Sequence, residues 1–198
     1  GAYEMSDNQR DFYRIQDRLL MAWRFVEAEA VTESEAALST VNRELEEELL
    51  ELHDESPETA RVFTLLNRKI ELLMSYGQGE SDKPTNLGGF CDKALVDVSL
   101  SGSGMGYFSA TNAEEGSYVE VILSLESIDV EITVRMVIIE TRISADAENP
   151  GFWLRGRFLE DQDKQVDAVV AHVNQRQFEQ LQRRAKANGT PIEDTDED

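Results

Sequence analysis

The chain has 198 residues, with 40 acidic against 19 basic, a formal net charge of −21 and one cysteine. That length suits one ordinary domain with an elaboration, or two small domains, and is enough to bury a core. The charge excludes general binding to DNA, RNA or an anionic membrane, which needs an extended basic surface to displace counterions from phosphates.

Gly1-Ala2-Tyr3-Glu4 reads as an appended leader with Met5 as the natural start, and no charged-then-apolar signal segment is seen. Arg10, Arg14, Arg18 and Arg24 concentrate positive charge in residues 7–25. From Leu19 the apolar positions alternate, with Leu19, Met21, Trp23 and Phe25 on one face, which predicts a strand. Then the period changes. Thr32 offers a helix N-cap and Glu35, three residues on, completes a capping box. Leu38, Val41, Leu45, Leu49 and Leu52 follow as one helical stripe that ends near His53-Asp54. Ser56-Pro57 starts a second helix, with proline at its first position. Its stripe is Phe63, Leu66, Ile70 and Leu73, ending at Tyr76-Gly77.

Residues 32–76 are thus predicted to form a helical hairpin. Glu44, Glu46, Glu47, Glu48 and Glu51 lie between the leucines and read as its solvated face. Two narrow leucine seams bury poorly against each other alone. The hairpin is expected to pair with another copy of itself, as a coiled coil or four-helix bundle.

Residues 81–89 form a polar connector with Pro84 and Gly88-Gly89. Beyond it the period is two. Cys91 reads as a small apolar strand residue; being alone, it allows no internal disulfide and no Cys-rich zinc site, so a reducing cytoplasm is expected. Strands are predicted around residues 94–98, at Tyr107-Phe108, over 119–125, over 130–138 and over 152–158, with Gly102, Gly104 and Gly106 as turn formers with positive φ. The longest apolar run, Ile132 to Ile139, is broken by Thr133 and Arg135 and is too short to be a membrane-spanning helix. Short, regularly spaced strands indicate an antiparallel barrel or sandwich. Asp163 to Lys186 returns to a helical pattern with Val166, Val169, Val170, Val173 and Leu181 on its packed face. The acidic residues 191–198 read as a disordered tail.

His53 and His172 have no neighbour at metal-ligand spacing and read as structural helix residues. Cys91 lacks a partner that would mark a thiol nucleophile. There is no Walker loop or dinucleotide fingerprint, because the glycines at 102–106 lie between strands with no helix following. No enzyme, metal or cofactor is expected.

One constellation carries more. Arg10 and Arg14 place two guanidinium groups four residues apart just before the first strand. Asp97 and Ser99 share one side of a strand end, with Gly102 in the turn beyond. Arginine supplies bidentate donors for phosphate oxygens or the guanine O6/N7 edge, and a carboxylate accepts from guanine N1 and N2. These groups suit a guanine nucleotide with an exposed phosphodiester.

R-x-x-x-R followed by D-x-S-x-x-G resembles the paired motif of PilZ domains, bacterial receptors for cyclic di-GMP. The resemblance covers about residues 9–31 and 85–185 and includes Arg155-Gly156-Arg157-Phe158 in the last strand. It implies a six-stranded antiparallel PilZ-type β-barrel with a C-terminal helix over 9–31 and 85–187. The other parts are a flexible arm at 1–8, an inserted hairpin at 32–80 and a tail at 188–198. It further implies that Arg10 and Arg14 grip phosphates and guanine while Asp97, Ser99 and Gly102 meet the base from the barrel. The output is then a changed surface acting on a downstream protein whose identity is not legible. Helical elaborations that drive oligomerisation occur in this family, which agrees with a homo-oligomer assembled through 32–76. Gln9, where many members carry a basic residue, and Asp11 between the arginines depart from the pattern and imply modest, salt-sensitive affinity. The alternative is an oligomeric PilZ-like adaptor that binds no nucleotide.

Overall fold

The computed structural model describes residues 13–26, 33–76, 90–145, 147–148 and 150–189. Arg10, Thr32, the side chain of Glu35, the connector 81–89 and the tail 191–198 lie outside the described residues. Six strands form the framework: β1 (Ile15–Val26), β2 (Ala94–Ser101), β3 (Gly104–Ser109), β4 (Tyr118–Leu125), β5 (Val130–Ile143) and β6 (Phe152–Phe158). They close into an antiparallel barrel in the order β1-β2-β3-β6-β5-β4. Helices α1 (Glu33–Glu55) and α2 (Pro57–Tyr76) are inserted between β1 and β2, and α3 (Asp163–Ala187) follows β6. This is the expected six-stranded barrel with a helical hairpin and a closing helix.

Alternation builds the interior. Leu19 and Met21 of β1, Val98 and Leu100 of β2, and Ile132, Val134, Met136 and Ile138 of β5 are all buried in one core. Each large apolar side chain so buried contributes roughly 1.5–3 kcal/mol. β1 begins at Ile15, earlier than the alternation from Leu19 suggests, because Asp17 stands in the same row between Ile15 and Leu19. β1 also changes partner midway. Ile15 to Met21 pair with β2, and Met21 to Val26 pair with β4. The hairpin therefore leaves from the end of β1 that rests on β4.

β5 outruns β6. Val130–Arg135 pair with β4 alone, and β6 joins only from Met136 onward. Side chains satisfy the open edge. Gln162 accepts the Arg135 N–H at 2.6 Å and donates to the carbonyls of Arg135 and Leu159 at 2.8 and 2.9 Å. Glu46 of α1 accepts the Thr133 N–H on both carboxylate oxygens, at 2.9 and 3.0 Å. Glu46 is thus not part of a solvated face, as the pattern of α1 suggested. Its burial pushes its pKa up to about 7.

α3 closes the barrel with Ala168, Val169 and Val173 in the core. Leu181 does not join them and is exposed, together with Phe178, because the barrel no longer covers this half of the helix. In the hairpin, Leu50 packs against the barrel core. By contrast Leu38, Val41, Phe63, Leu66, Ile70 and Leu73 are between 47% and 61% exposed in the single chain. Cys91 precedes β2 rather than lying in a strand; its N–H donates to the Trp23 carbonyl and its Sγ accepts the Trp23 N–H.

Candidate ligand-binding site

Residues between the inward-facing ones on β2, β3, β6 and β5 point outward and form one polar face of the barrel. Arg14, immediately before β1, reaches across it. Its Nη1 donates to Ser99 Oγ at 3.0 Å and to the Ser99 carbonyl at 3.2 Å, and Nη2 donates to Ser101 Oγ at 3.4 Å. The first rung of β1–β2, Ile15 against Leu100, fixes this approach. One step along, Arg18 faces Asp97 with 3.9 Å between Nε and Oδ1, and both side chains are well exposed. Gly102 and Ser103 form the two-residue connection from β2 to β3, where Ser101 Oγ accepts the Ser103 N–H.

The floor beyond Ser99 needs glycine for closeness, not for positive φ. Gly104 and Gly106 lie within β3 and Gly102 in the turn before it, and none of the three has the expected left-handed φ; Gly116, elsewhere, does. A Cβ on Gly106 would sit 2.7 Å from the Trp153 ring, so its absence lets the indole lie across β3. On the far side Arg142 stands opposite Trp153, and Glu140 opposite Arg155. Together Arg14, Ser99, Gly106, Glu140, Arg142, Trp153 and Arg155 line a cleft of about 290 Å³.

Burial and the neighbouring Arg155 both lower the pKa of Arg14, although a guanidinium stays charged in any such setting. Hydrogen bonding from Arg142, aided by Arg155, holds Glu140 below the usual carboxylate range. In a chain of net charge −21, three guanidinium groups around one carboxylate make a local positive site. Arginine forks suit phosphate oxygens, the Ser99 hydroxyl both donates and accepts, and an indole face offers a stacking surface for a nucleobase. Among the described residues no group of three or more His, Cys, Asp or Glu side chains is placed to hold a metal ion, and no helix is long and apolar enough to cross a membrane.

No protein-family model matches the chain, and no curated protein matches it. Solved structures do resemble it. One is a Xanthomonas campestris protein described as a tetrameric PilZ domain self-assembled via a helical bundle, 18% identical over 87% of this chain and 90% of that one, with a TM-score of 0.49. Another is the K. pneumonia MrkH–c-di-GMP complex, 13% identical over 46% of this chain and 44% of that one, with a TM-score of 0.39. A third is the PilZ domain of YcgR from Escherichia coli with c-di-GMP, 20% identical over 50% of this chain and 81% of that one, with a TM-score of 0.33.

Of the residues singled out in the sequence, Arg14 and Ser99 are in direct contact, Asp97 lies one step along the same face, and Gly102 is in the adjoining turn. Arg10 lies outside the described residues. Glu140, Arg142 and Trp153 were not foreseen. Strand alternation around buried Leu154 marks Trp153 and Arg155 as outward-facing, a signal that was available. A second polar centre lies near the first. Asp17, three residues after Arg14, accepts from Arg176 at 3.2 Å and bonds His172 Nε2 at 2.9 Å, while His172 Nδ1 bonds Ser127 Oγ at 2.6 Å. His172 is fully buried and ties α3 to β1.

Proposed function

We propose that this chain is a non-enzymatic, cytoplasmic receptor of the PilZ family that binds cyclic di-GMP. The observation that carries this reading is the contact of Arg14 with Ser99, which joins two motifs far apart in sequence on one outer face beside a cleft of cationic and aromatic groups. In this reading Arg14, joined by Arg10, takes the phosphates. Asp97, exposed and only loosely paired with Arg18, accepts from guanine N1 and N2; Ser99 bonds the base or a phosphate, and Gly102 keeps the turn small beside it. No bond in the ligand is broken. The signal is an arm that closes over the ligand and so changes the surface offered to a downstream protein, an equilibrium biased by the ligand's preference for the closed state.

Titration calorimetry of cyclic di-GMP into wild type and Arg10→Ala/Arg14→Ala, at low and moderate salt, tests this. Saturable binding that the double variant loses supports the receptor. Equal binding by both proteins removes the site, and no binding by wild type removes the function.

The exposed leucine seams of α1 and α2 favour a second property, which stands with or without ligand. Phe63, Leu66, Ile70 and Leu73 present an apolar stripe that one chain leaves open to water, and a homo-oligomer assembled through the hairpin would cover it. If wild type proves unable to bind nucleotide, this assembly makes the chain an adaptor built on the same barrel.

A further inference from the structure

Among the described residues that line the cleft, Glu140 is the one anion. Ile132, Val134, Met136 and Ile138 all face the core, and the same alternation would turn residue 140 inward. A bulge prevents this. The β5–β6 register steps from Ile138 opposite Gly156 to Glu140 opposite Arg155, leaving Ile139 as the extra residue. Bulges of this kind re-aim the side chains that follow. Here Thr141 takes the inward row and donates its hydroxyl to the Ala113 carbonyl at 2.7 Å, while Glu140 emerges outside.

Once outside, Glu140 occupies donors that an anionic ligand needs. Its Oε1 accepts from Nε of Arg142 at 2.6 Å and lies 2.5 Å from Nη2 of the same group. Its Oε2 accepts from Nη1 of Arg155 at 3.5 Å. The Nε–Nη2 edge of a guanidinium is the fork that otherwise receives two phosphate oxygens. Among the described residues that line the cleft, no other is negative.

We propose that Glu140 is a built-in counter-ion, which a phosphodiester must displace to engage Arg142 and Arg155, and that it thereby holds affinity down. The proposal rests on the cyclic di-GMP reading. An opposing effect exists, since Glu140 also keeps the two arginines from splaying and so lessens the ordering needed on binding. That effect is the smaller. Arg142 and Arg155 are 68% and 48% exposed, and exposed pairs hold their partners weakly. The charge of Glu140 acts on every anion that enters the cleft within a Debye length.

The test is calorimetric titration of cyclic di-GMP into wild type and Glu140→Gln, at about 20 mM and about 500 mM salt, where the Debye lengths are roughly 20 and 4 Å. Glu140→Gln should bind about twofold to fivefold more tightly at low salt, the scale of one exposed charge contact. The gap should close at high salt. Binding by Glu140→Gln that equals or falls below wild type overturns the counter-ion while leaving the receptor intact. A gain that persists unchanged at high salt overturns it too, because it is then not electrostatic. Binding by neither protein removes the receptor reading and this inference with it.

Discussion

Glu46 sets both oxygens of its carboxylate on the backbone N–H of Thr133, along the stretch of β5 that β6 does not reach. A helix side chain thereby does what a neighbouring strand would do, and it ties the inserted hairpin to the barrel. An unpaired N–H buried there would cost about 1–3 kcal/mol. Burial is the main influence on Glu46 and raises its pKa; hydrogen bonds from Thr133 and Gln165 oppose the rise, and Glu131 adds to it.

The pH dependence follows from that shift. The folded chain holds the Glu46 proton up to about pH 7, whereas the unfolded value is 4.5. Between those values the folded state binds more protons, so stability falls as pH rises through the window and is level above it for this group. Glu46→Gln keeps an acceptor for Thr133 and removes the titration. Its melting temperature relative to wild type should climb from about pH 5 to about pH 8. Parallel curves across that range would mean that Glu46 does not titrate in place.

Gly104 is the tightest point of the β3–β6 contact, where an added Cβ would lie 2.1 Å from the Gly156 carbonyl oxygen. Backbone cannot swing aside as a side chain can. Gly104→Ala should therefore cost at least about 2 kcal/mol in urea unfolding, within the range for overpacked cores. Gly106→Ala meets the Trp153 ring instead and should cost less while disturbing the cleft. An unchanged unfolding midpoint in Gly104→Ala would show that the two strands are further apart than described.

Assembly has its own test. Leu66 and Ile70 are about half exposed in one chain, so Leu66→Glu/Ile70→Glu should leave the monomer fold intact, with changes near 0.5 kcal/mol at such surface positions. Light scattering should show wild type as an oligomer and the double variant as a monomer with unchanged helix content. A wild-type mass equal to one chain would end the assembly proposal.

The barrel was legible because each strand keeps one face in a single core, which writes a period of two into the sequence. Arg14 and Ser99 were legible because both sit at strand boundaries, where spacing limits what can meet. Glu140 was not. Counting by twos from Ile132 puts it indoors, and nothing in Val137-Ile138-Ile139-Glu140 announces the extra residue. Glu46 was hidden in another way: next to Glu44, Glu47 and Glu48 it is one acid in a row, and only the unpaired N–H of Thr133, distant in sequence, distinguishes it. Leu181 continues the apolar row of α3 convincingly, but the barrel ends before it. The misses at Glu46 and Leu181 depended on where a partner element stops and the one at Glu140 on an inserted residue, and local pattern records neither.

β1 joins the two proposed activities. Arg14 precedes its first residue, the hairpin departs after its last, and its 12 residues span about 40 Å at the rise of an extended strand. Detection and assembly are therefore attached at opposite ends of one rod. Any segment in the hairpin's place would return the chain beside Trp23, where Cys91 bonds, and would have to supply what Glu46 and Leu50 give the barrel. Apart from those two contacts, the layout lets the scaffold at one end of β1 change while the cleft at the other end stays the same.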